Sequence, residues 1–326
     1  MTDALRLGTR ASALATTQSG HVADALRAAT GRDVELVPIT TAGDVLTGPL
    51  AQLGGTGVFV AALRDALLRG ACDLVVHSMK DLPTGAVLGL RIAAVPERAS
   101  QRDVLCARDG LSLDQLPLGA VVGSGSPRRV AQLLRRRPDL DVRGIRGNVD
   151  TRLRKVHEGE YDATVLAEAG LARLGRTDEI TDVFELDTWP TSAGQGALAV
   201  EVRTYDPALA DAVAAIGHEA STTASLWERD VLRRLEAGCA APVGISAQPA
   251  SDGTVALVAE VYALDGAASV RVERRVDAPR LTDPLDRDAE AADIVAELLG
   301  AGAGDLADLA GSGDTAGPAG TAGANP

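Results

Sequence analysis

Short apolar runs of strand type alternate with stretches of helical period, and the alternation begins twice along the chain. Leu5–Gly8, Val34–Ile39, Ala71–Val76 and Leu90–Val95 read as strands. Between them, residues 12–29 carry Leu14, Val22 and Leu26 at helical spacing, and residues 58–69 form a second helix. The pattern restarts at Gly119–Gly123. Ser126 and Pro127 then open a helix as N-cap and first helical residue, and Pro138 stops it. Asp141–Ile145, a helix over residues 148–158 and the strand Tyr161–Ala167 follow. Consecutive strands joined through helices need crossover connections, so each unit is expected to hold a mainly parallel sheet. Residues 197–203 (ALAVEVR) read as a strand that returns to the first sheet. On that reading the second unit is inserted into the first, and two crossover segments act as a hinge.

From about residue 217 the texture changes. One long helix (219–236) precedes three strand-like runs near 243–248, 254–264 and 269–276, and a helix follows at 287–299. The fold class is therefore α/β, with two α/β domains around a cleft and a small C-terminal α+β domain. Residues 1–96 and 194–216 make domain 1, 97–193 the inserted domain 2 and 217–310 domain 3. The small polar tail at 311–326 is expected to be disordered.

Composition narrows the function. The N-terminus lacks the basic start and apolar run of a signal peptide. No stretch reaches the roughly 18 apolar residues of a membrane helix. Cys72, Cys106 and Cys239 and four scattered histidines form no close-spaced ligand pairs, so no metal is expected. A cytoplasmic enzyme or binding protein remains. The 326 residues carry a net charge of −13, yet residues 128–155 hold ten bases against three acids. A basic island at +7 within an acidic chain points to a local anion site. Nucleic acid is not the expected partner, because no aromatic residue lies between Phe59 and Tyr161 to stack on bases.

Ligands of parallel sheets bind beyond the carboxyl ends of the strands, and polar clusters fall there. They are Thr9-Arg10-Ala11-Ser12, His77-Ser78-Met79-Lys80-Asp81, Ser124 to Arg129, and Arg146-Gly147-Asn148. Arg128 and Arg129 stand in a helix's first turn, where the macrodipole disfavours cations, which favours a ligand role. Arg135, Arg136 and Arg137, at the same helix's last turn, read as solvated charges. Arg146 and Arg152 flank a helix start and suit either a ligand or a salt bridge. Thirty arginines against two lysines make Lys80 a meaningful choice of a compact point charge. Asp81 is either its partner, a cap, or a carboxylate that stabilises a cation. The glycine-rich stretch 42–57 is a surface connection, a lid or an anion cradle. A glycine pattern near Gly123 weakly suggests a dinucleotide fingerprint, but Arg128 occupies its third glycine position. Cys239, in a small-residue turn, is a buried hydrophobe or a derivatisable thiol. Cys72 and Cys106, in apolar strands, read as inert.

Several motifs in one order carry a specific resemblance. They are LRLGTRASALA at 5–15, HSMKDLP at 77–83, RRPDLDVRGIRGNVDTRL at 136–153, YDATVLAEAGLARLG at 161–175, GQGALAVE at 194–201 and EAGCAAPVG at 236–244. Over residues 5–300 the chain resembles the hydroxymethylbilane synthase (porphobilinogen deaminase) family. The resemblance implies two domains like a periplasmic binding protein, a third domain, and a dipyrromethane cofactor joined by a thioether to Cys239. It implies a transferase that condenses four porphobilinogen molecules onto that primer with loss of ammonia. Water then releases hydroxymethylbilane.

By the same resemblance Asp81 is catalytic. Lys80, Ser126, Arg128, Arg129, Ser78, Gln195 and Phe59 hold or position the cofactor, while Arg10, Ser12, Arg146, Arg152 and Arg173 bind substrate. A soluble monomer is implied, with no metal. Here GSGSPRR stands where many relatives read GTSSLRR, Gln52 and Thr56 replace loop lysines, and Ala237 replaces a glycine. The competing reading is a two-lobed, non-catalytic anion-binding or sensory module, which has no use for a derivatised thiol.

Overall fold

A computed structural model describes residues 4–39, 57–237 and 241–309; side chains 57–59 are outside that description. The glycine-rich stretch up to residue 56, the Phe59 side chain, Cys239 and the tail at 311–326 therefore lie outside the described residues.

The first sheet has the order β2-β1-β3-β10-β4. Its strands are β1 (Leu5–Thr9), β2 (Val34–Pro38), β3 (Leu74–Ser78), β4 (Leu90–Ala94) and β10 (Leu198–Arg203). β1 runs parallel to β2 and β3, while β10 is antiparallel to both β3 and β4. The second sheet repeats the plan as β7-β6-β8-β5-β9. It comprises β5 (Asp103–Ala107), β6 (Val121–Gly123), β7 (Asp141–Arg143), β8 (Ala163–Ala167) and β9 (Asp182–Val183). There β6 is parallel to β7 and β8, and β5 is antiparallel to β8 and β9. Each sheet thus has one reversed strand in fourth place, reached by a crossover from the other lobe. The expectation of mainly parallel sheets holds for strand direction but not for pairing, since half the ladders in each sheet involve that reversed strand.

Helices cover the sheets because their apolar stripes match the sheet faces. In α1 (Ala13–Thr30), Val22, Ala23 and Leu26 are buried with Leu5, Leu7 and Leu74. Burying a Val or Leu side chain contributes about 1.5–3 kcal/mol. Ser12 caps α1 by accepting from Ala15 N, and Gly31 ends it in the left-handed conformation. α2 (Gly57–Leu68) packs Leu63, Ala66 and Leu67 beside Val75. In the second lobe, α3 (Pro127–Arg136) starts at the Ser126 cap, and α4 (Val149–His157) starts at Asn148, which accepts from Thr151 N. α5 (Glu168–Arg173) follows β8 directly, and α6 (Pro207–Ala214) returns to the first lobe's core through Leu209 and Val213.

Three expectations need correction. The strand read at Ala71–Val76 is Leu74–Ser78, because Asp73 accepts from the Arg6 backbone and guanidinium and holds a turn until Leu74 can pair with Leu7. Cys72 consequently sits in that turn, while Cys106 is in β5; both thiols are buried, and burial pushes Cys106 up to about 12. Arg137 is not a solvated charge: it donates to the carbonyls of Leu113 and Leu116 and pairs with Asp139. The two residues of β9 carry no period of their own, so the sequence holds no sign of that strand.

The third unit opens with α7 (Glu219–Arg234), followed by the antiparallel sheet β11 (Val243–Pro249), β12 (Thr254–Tyr262) and β13 (Ser269–Asp277). α8 (Pro284–Gly300), capped by Asp283, and α9 (Ala303–Leu306) close its core around Trp227, Ile245 and Ile294. Beyond α7, Glu236 adopts φ +48°, a left-handed turn rare for a residue with a Cβ.

Candidate active site

Where β3 ends, the chain tightens into a 3-10 turn, Met79–Asp81. Met79 is buried, which leaves Lys80 and Asp81 to line a cavity of about 610 Å³. The opposite wall comes from the second lobe: Gly125, Ser126, Arg128, Arg129 and Arg152. Apolar residues of the third unit, Leu232, Val243 and Ile245, form the floor with Ala237 and Ala241. Those two alanines stand on either side of the undescribed residues 238–240, which include Cys239. Asp81 also borders a side cavity of about 150 Å³ lined by Arg10, Gln18, His77 and Ser78.

The centre of the electrostatics is a residue that sequence reasoning missed. Asp103, wholly buried at the start of β5, pairs with Arg128 Nη1 at 2.9 Å and accepts from Arg129 Nε and Nη2 at 3.1 and 2.6 Å. It also accepts from Trp189 Nε1 at 3.1 Å and Gln195 Nε2 at 2.8 Å. Burial alone would push its carboxyl up; the two guanidiniums prevail and hold it far below the usual range. The signal available in sequence was an acid interrupting an apolar run, DVLCA.

Arg129 is fully engaged, its Nη1 donating to Val165 O at 2.8 Å. Arg128 donates Nη1 to Gln132 Oε1 and Pro190 O, but its buried Nε has no partner. Arg128 lines the cavity, and two guanidiniums sharing one carboxylate leave net positive charge there, which fits an acidic ligand.

Gln195 transmits this arrangement to the first lobe, since its Oε1 accepts from Lys80 Nζ at 3.2 Å. Glycines flank it for steric reasons. At Gly194 a Cβ would meet Met79 Cγ at 2.8 Å, and at Gly196 it would meet Ala99 O at 2.5 Å, both at positive φ. The Lys80 ammonium touches solvent yet is walled by protein on several sides, as a side chain inside a cleft can be. That enclosure, with Arg129 and Arg128 nearby, pulls its pKa down from 10.5 to about 8 despite Asp81. No described group donates a hydrogen bond to the Asp81 carboxylate.

The remaining expected residues divide. Ser78 exchanges hydrogen bonds with Gln18 beside the side cavity. Arg152 reaches the main cavity while donating to Gly147 O, and burial lowers its pKa. Ser126 lines the cavity as a cap. Ser12 is engaged in capping α1 and lines neither cavity. Arg146 is exposed and also lines neither. Arg173 donates to Gly196 O at 2.7 Å and lines a different hollow with His21 and Ala25. Among the described residues, no group of three or more His, Cys, Asp or Glu could hold a metal, and no helix is long and apolar enough to cross a membrane.

Comparison with known proteins places the sequence in a family. Residues 5–211 match the family model "Porphobilinogen deaminase, dipyromethane cofactor binding domain". The chain belongs to the porphobilinogen deaminase family. Residues 222–298 match that family's C-terminal domain. A porphobilinogen deaminase from Leifsonia xyli is 54% identical over 316 residues, 94% of this chain and 95% of that protein. The one from Thermobifida fusca is 54% identical over 281 residues, covering 86% and 88%. That from Cutibacterium acnes is 50% identical over 332 residues, covering 96% and 99%. A periplasmic substrate-binding protein of an ABC transporter from Coxiella burnetii is a distant match, at 15% identity and TM-score 0.43 over 67% of this chain and 94% of that one.

The deaminase family's cofactor fits the residues present. Its oligopyrrole carries acetate and propionate arms, and the cavity offers Lys80, Arg128 and Arg152 as donors above an apolar floor.

Proposed function

We propose that this chain is a hydroxymethylbilane synthase, and that Cys239 carries its dipyrromethane. The observation that carries the reading is the meeting of three units at one cavity. Lys80 and Asp81 face Arg128, Arg129 and Arg152, with Ala237 and Ala241 bracketing the cysteine segment. When bound, the dipyrromethane supplies the free pyrrole α-position to which four porphobilinogen units are added, each with loss of ammonia, before water releases the product. The chain's own residues do the rest. Arg128 and Arg152, which line the cavity, receive acid arms in charge-assisted bonds worth roughly 1.5–3 kcal/mol each. Lys80 adds a compact point charge to the cavity lining. Asp81 presents an uncommitted carboxylate to pyrrole N–H groups and to positive charge that develops beside it. Arg10 and Ser78 extend the site into the side cavity, where we place the incoming porphobilinogen. Gln195 fixes Lys80 against Asp103. Ser12, Arg146 and Arg173 are retained as proposed contributors that line no part of the main cavity, and Phe59, whose side chain lies outside the described residues, is retained as a proposed wall of the cofactor.

We assign residues 1–96 with 194–216 to domain 1, 97–193 to domain 2 and 217–310 to domain 3, in keeping with the three separate sheets. We also propose a cytoplasmic monomer that binds neither nucleic acid nor membrane. Burial of Arg128 and Arg129 removes part of the basic island from any polyanion surface. Intact-mass spectrometry tests the assignment. The purified protein is expected to exceed its polypeptide mass by two linked pyrrole units, and Cys239→Ser to lose that increment. Active protein of unmodified mass sinks the proposal.

A further inference from the structure

α7 brings more to the cleft than the cysteine segment that follows it. Arg229, buried on its inner face, makes no ion pair with a carboxylate among the described residues. Its Nη1 donates to the carbonyls of Met79 and Leu82 at 3.2 and 2.7 Å, and its Nη2 to Pro83 at 2.8 Å. Those carbonyls bracket the Met79–Asp81 turn, so one planar guanidinium closes over it from behind. The planar fork spreads these bonds over two nitrogens, Nη1 taking two carbonyls and Nη2 the third, a spacing that a point-charge ammonium does not reproduce. Burial lowers the Arg229 pKa, a cost that no adjacent acid removes fully. The preceding residue, Glu228, pairs with Arg98 and accepts from Gly194 N and Ala247 N, so this part of α7 is itself rigidly set. Cys239 lies ten residues beyond Arg229.

We infer that Arg229 is a positioning residue: by clamping the backbone of residues 79–83 it fixes Lys80 and Asp81 relative to the helix that leads to Cys239. The inference rests on the function proposed above. It makes the third unit responsible for where the first unit's reactive turn stands.

The chain's lysine usage supplies a direct test. With only Lys80 and Lys155 present, carbon-13 labelling of lysine gives two NMR signals, and Lys155, paired with Glu160 at the surface, serves as reference. The charges that act most on Lys80 are Asp81, Arg129, Asp103 and Arg128, so removing Arg229 should move its titration only by displacing the turn. In folded Arg229→Gln the Lys80 midpoint is expected to rise from about 8 toward 10.5. In the same variant kcat should fall about tenfold, with KM for porphobilinogen little changed, as slight misplacement of reacting groups predicts. Arg229→Lys keeps the charge but not the fork and should fall between. Should Arg229→Gln fail to fold, Arg229→Lys is read in the same way.

A folded variant with an unmoved Lys80 titration overturns the inference. So does unfolding of both variants, which would make Arg229 a stability residue. If the wild type lacks deaminase activity while the Lys80 shift still follows Arg229, the functional proposal fails and the clamp stands.

Discussion

The two lobes differ in how the charges they bring to the same cavity are held. In the second lobe, Arg128 and Arg129 share a single buried counter-charge, Asp103, which also orders Gln195 and Trp189 and leaves the pair with one net positive charge. In the first lobe, Lys80 donates only to the neutral Gln195, and Asp81 accepts no hydrogen bond among the described residues, its charge acting on Lys80 without direct contact. A charge already compensated is rigid and suits holding a ligand. A charge left open is available to respond when charge develops during reaction. The comparison teaches that the basic wall is a scaffold and the reactive group stands opposite it.

The largest way to break this contrast is at the hub. Asp103→Asn leaves two guanidiniums buried without a counter-charge, and loss of about 3–5 kcal/mol of unfolding free energy is expected by denaturant titration. A loss below about 1 kcal/mol, the size typical of an exposed pair, would show that the arginines do not depend on it. Because its folded pKa is depressed, the Asp103 contribution is present at neutral pH and lost only as pH falls below the ordinary carboxylate range.

Asp81→Asn should behave in the opposite way. Turnover is expected to drop by about 10²–10³-fold, the scale of losing one preorganised electrostatic group. The melting temperature should stay near that of the wild type, because no described group loses a hydrogen bond. A melting collapse with turnover retained per folded molecule would place Asp81 in the scaffold instead.

Lys80 sharpens the contrast through pH. Its folded pKa is lowered to about 8, so the ammonium form declines as pH rises through that value and anion binding should weaken. KM is expected to rise above about pH 8, and Lys80→Arg, charged throughout, should remove that alkaline rise. An unchanged profile in Lys80→Arg would assign the rise to another group. The smallest effect is expected at exposed Arg146. Arg146→Ala should leave stability within about 0.5 kcal/mol while raising KM modestly, measured by thermal melting and initial rates.

Much of this was legible in the order of residues. Alternating periods gave the doubled α/β plan, and Ser126-Pro127 and Asn148 marked helix starts, because capping depends on neighbours within one turn. Lys80 stood out by composition and the turn HSMKD by its place after a strand. Asp103 escaped notice because its partners lie 25 to 92 residues away, and an acid within DVLCA has no local reason to be there. Arg229 escaped for the same reason, since its acceptors are backbone carbonyls about 150 positions back and any sequence offers those.

Local order settled which segments form strands and helices and which side chains stand at strand ends, since caps, turns and periodic apolar faces act over a few residues. Tertiary structure alone decided which cations share a buried counter-charge and which carboxylate accepts no hydrogen bond among the described residues. Electrostatic compensation in a low-dielectric interior depends on distances in space, and those exist only once three separate units have packed together.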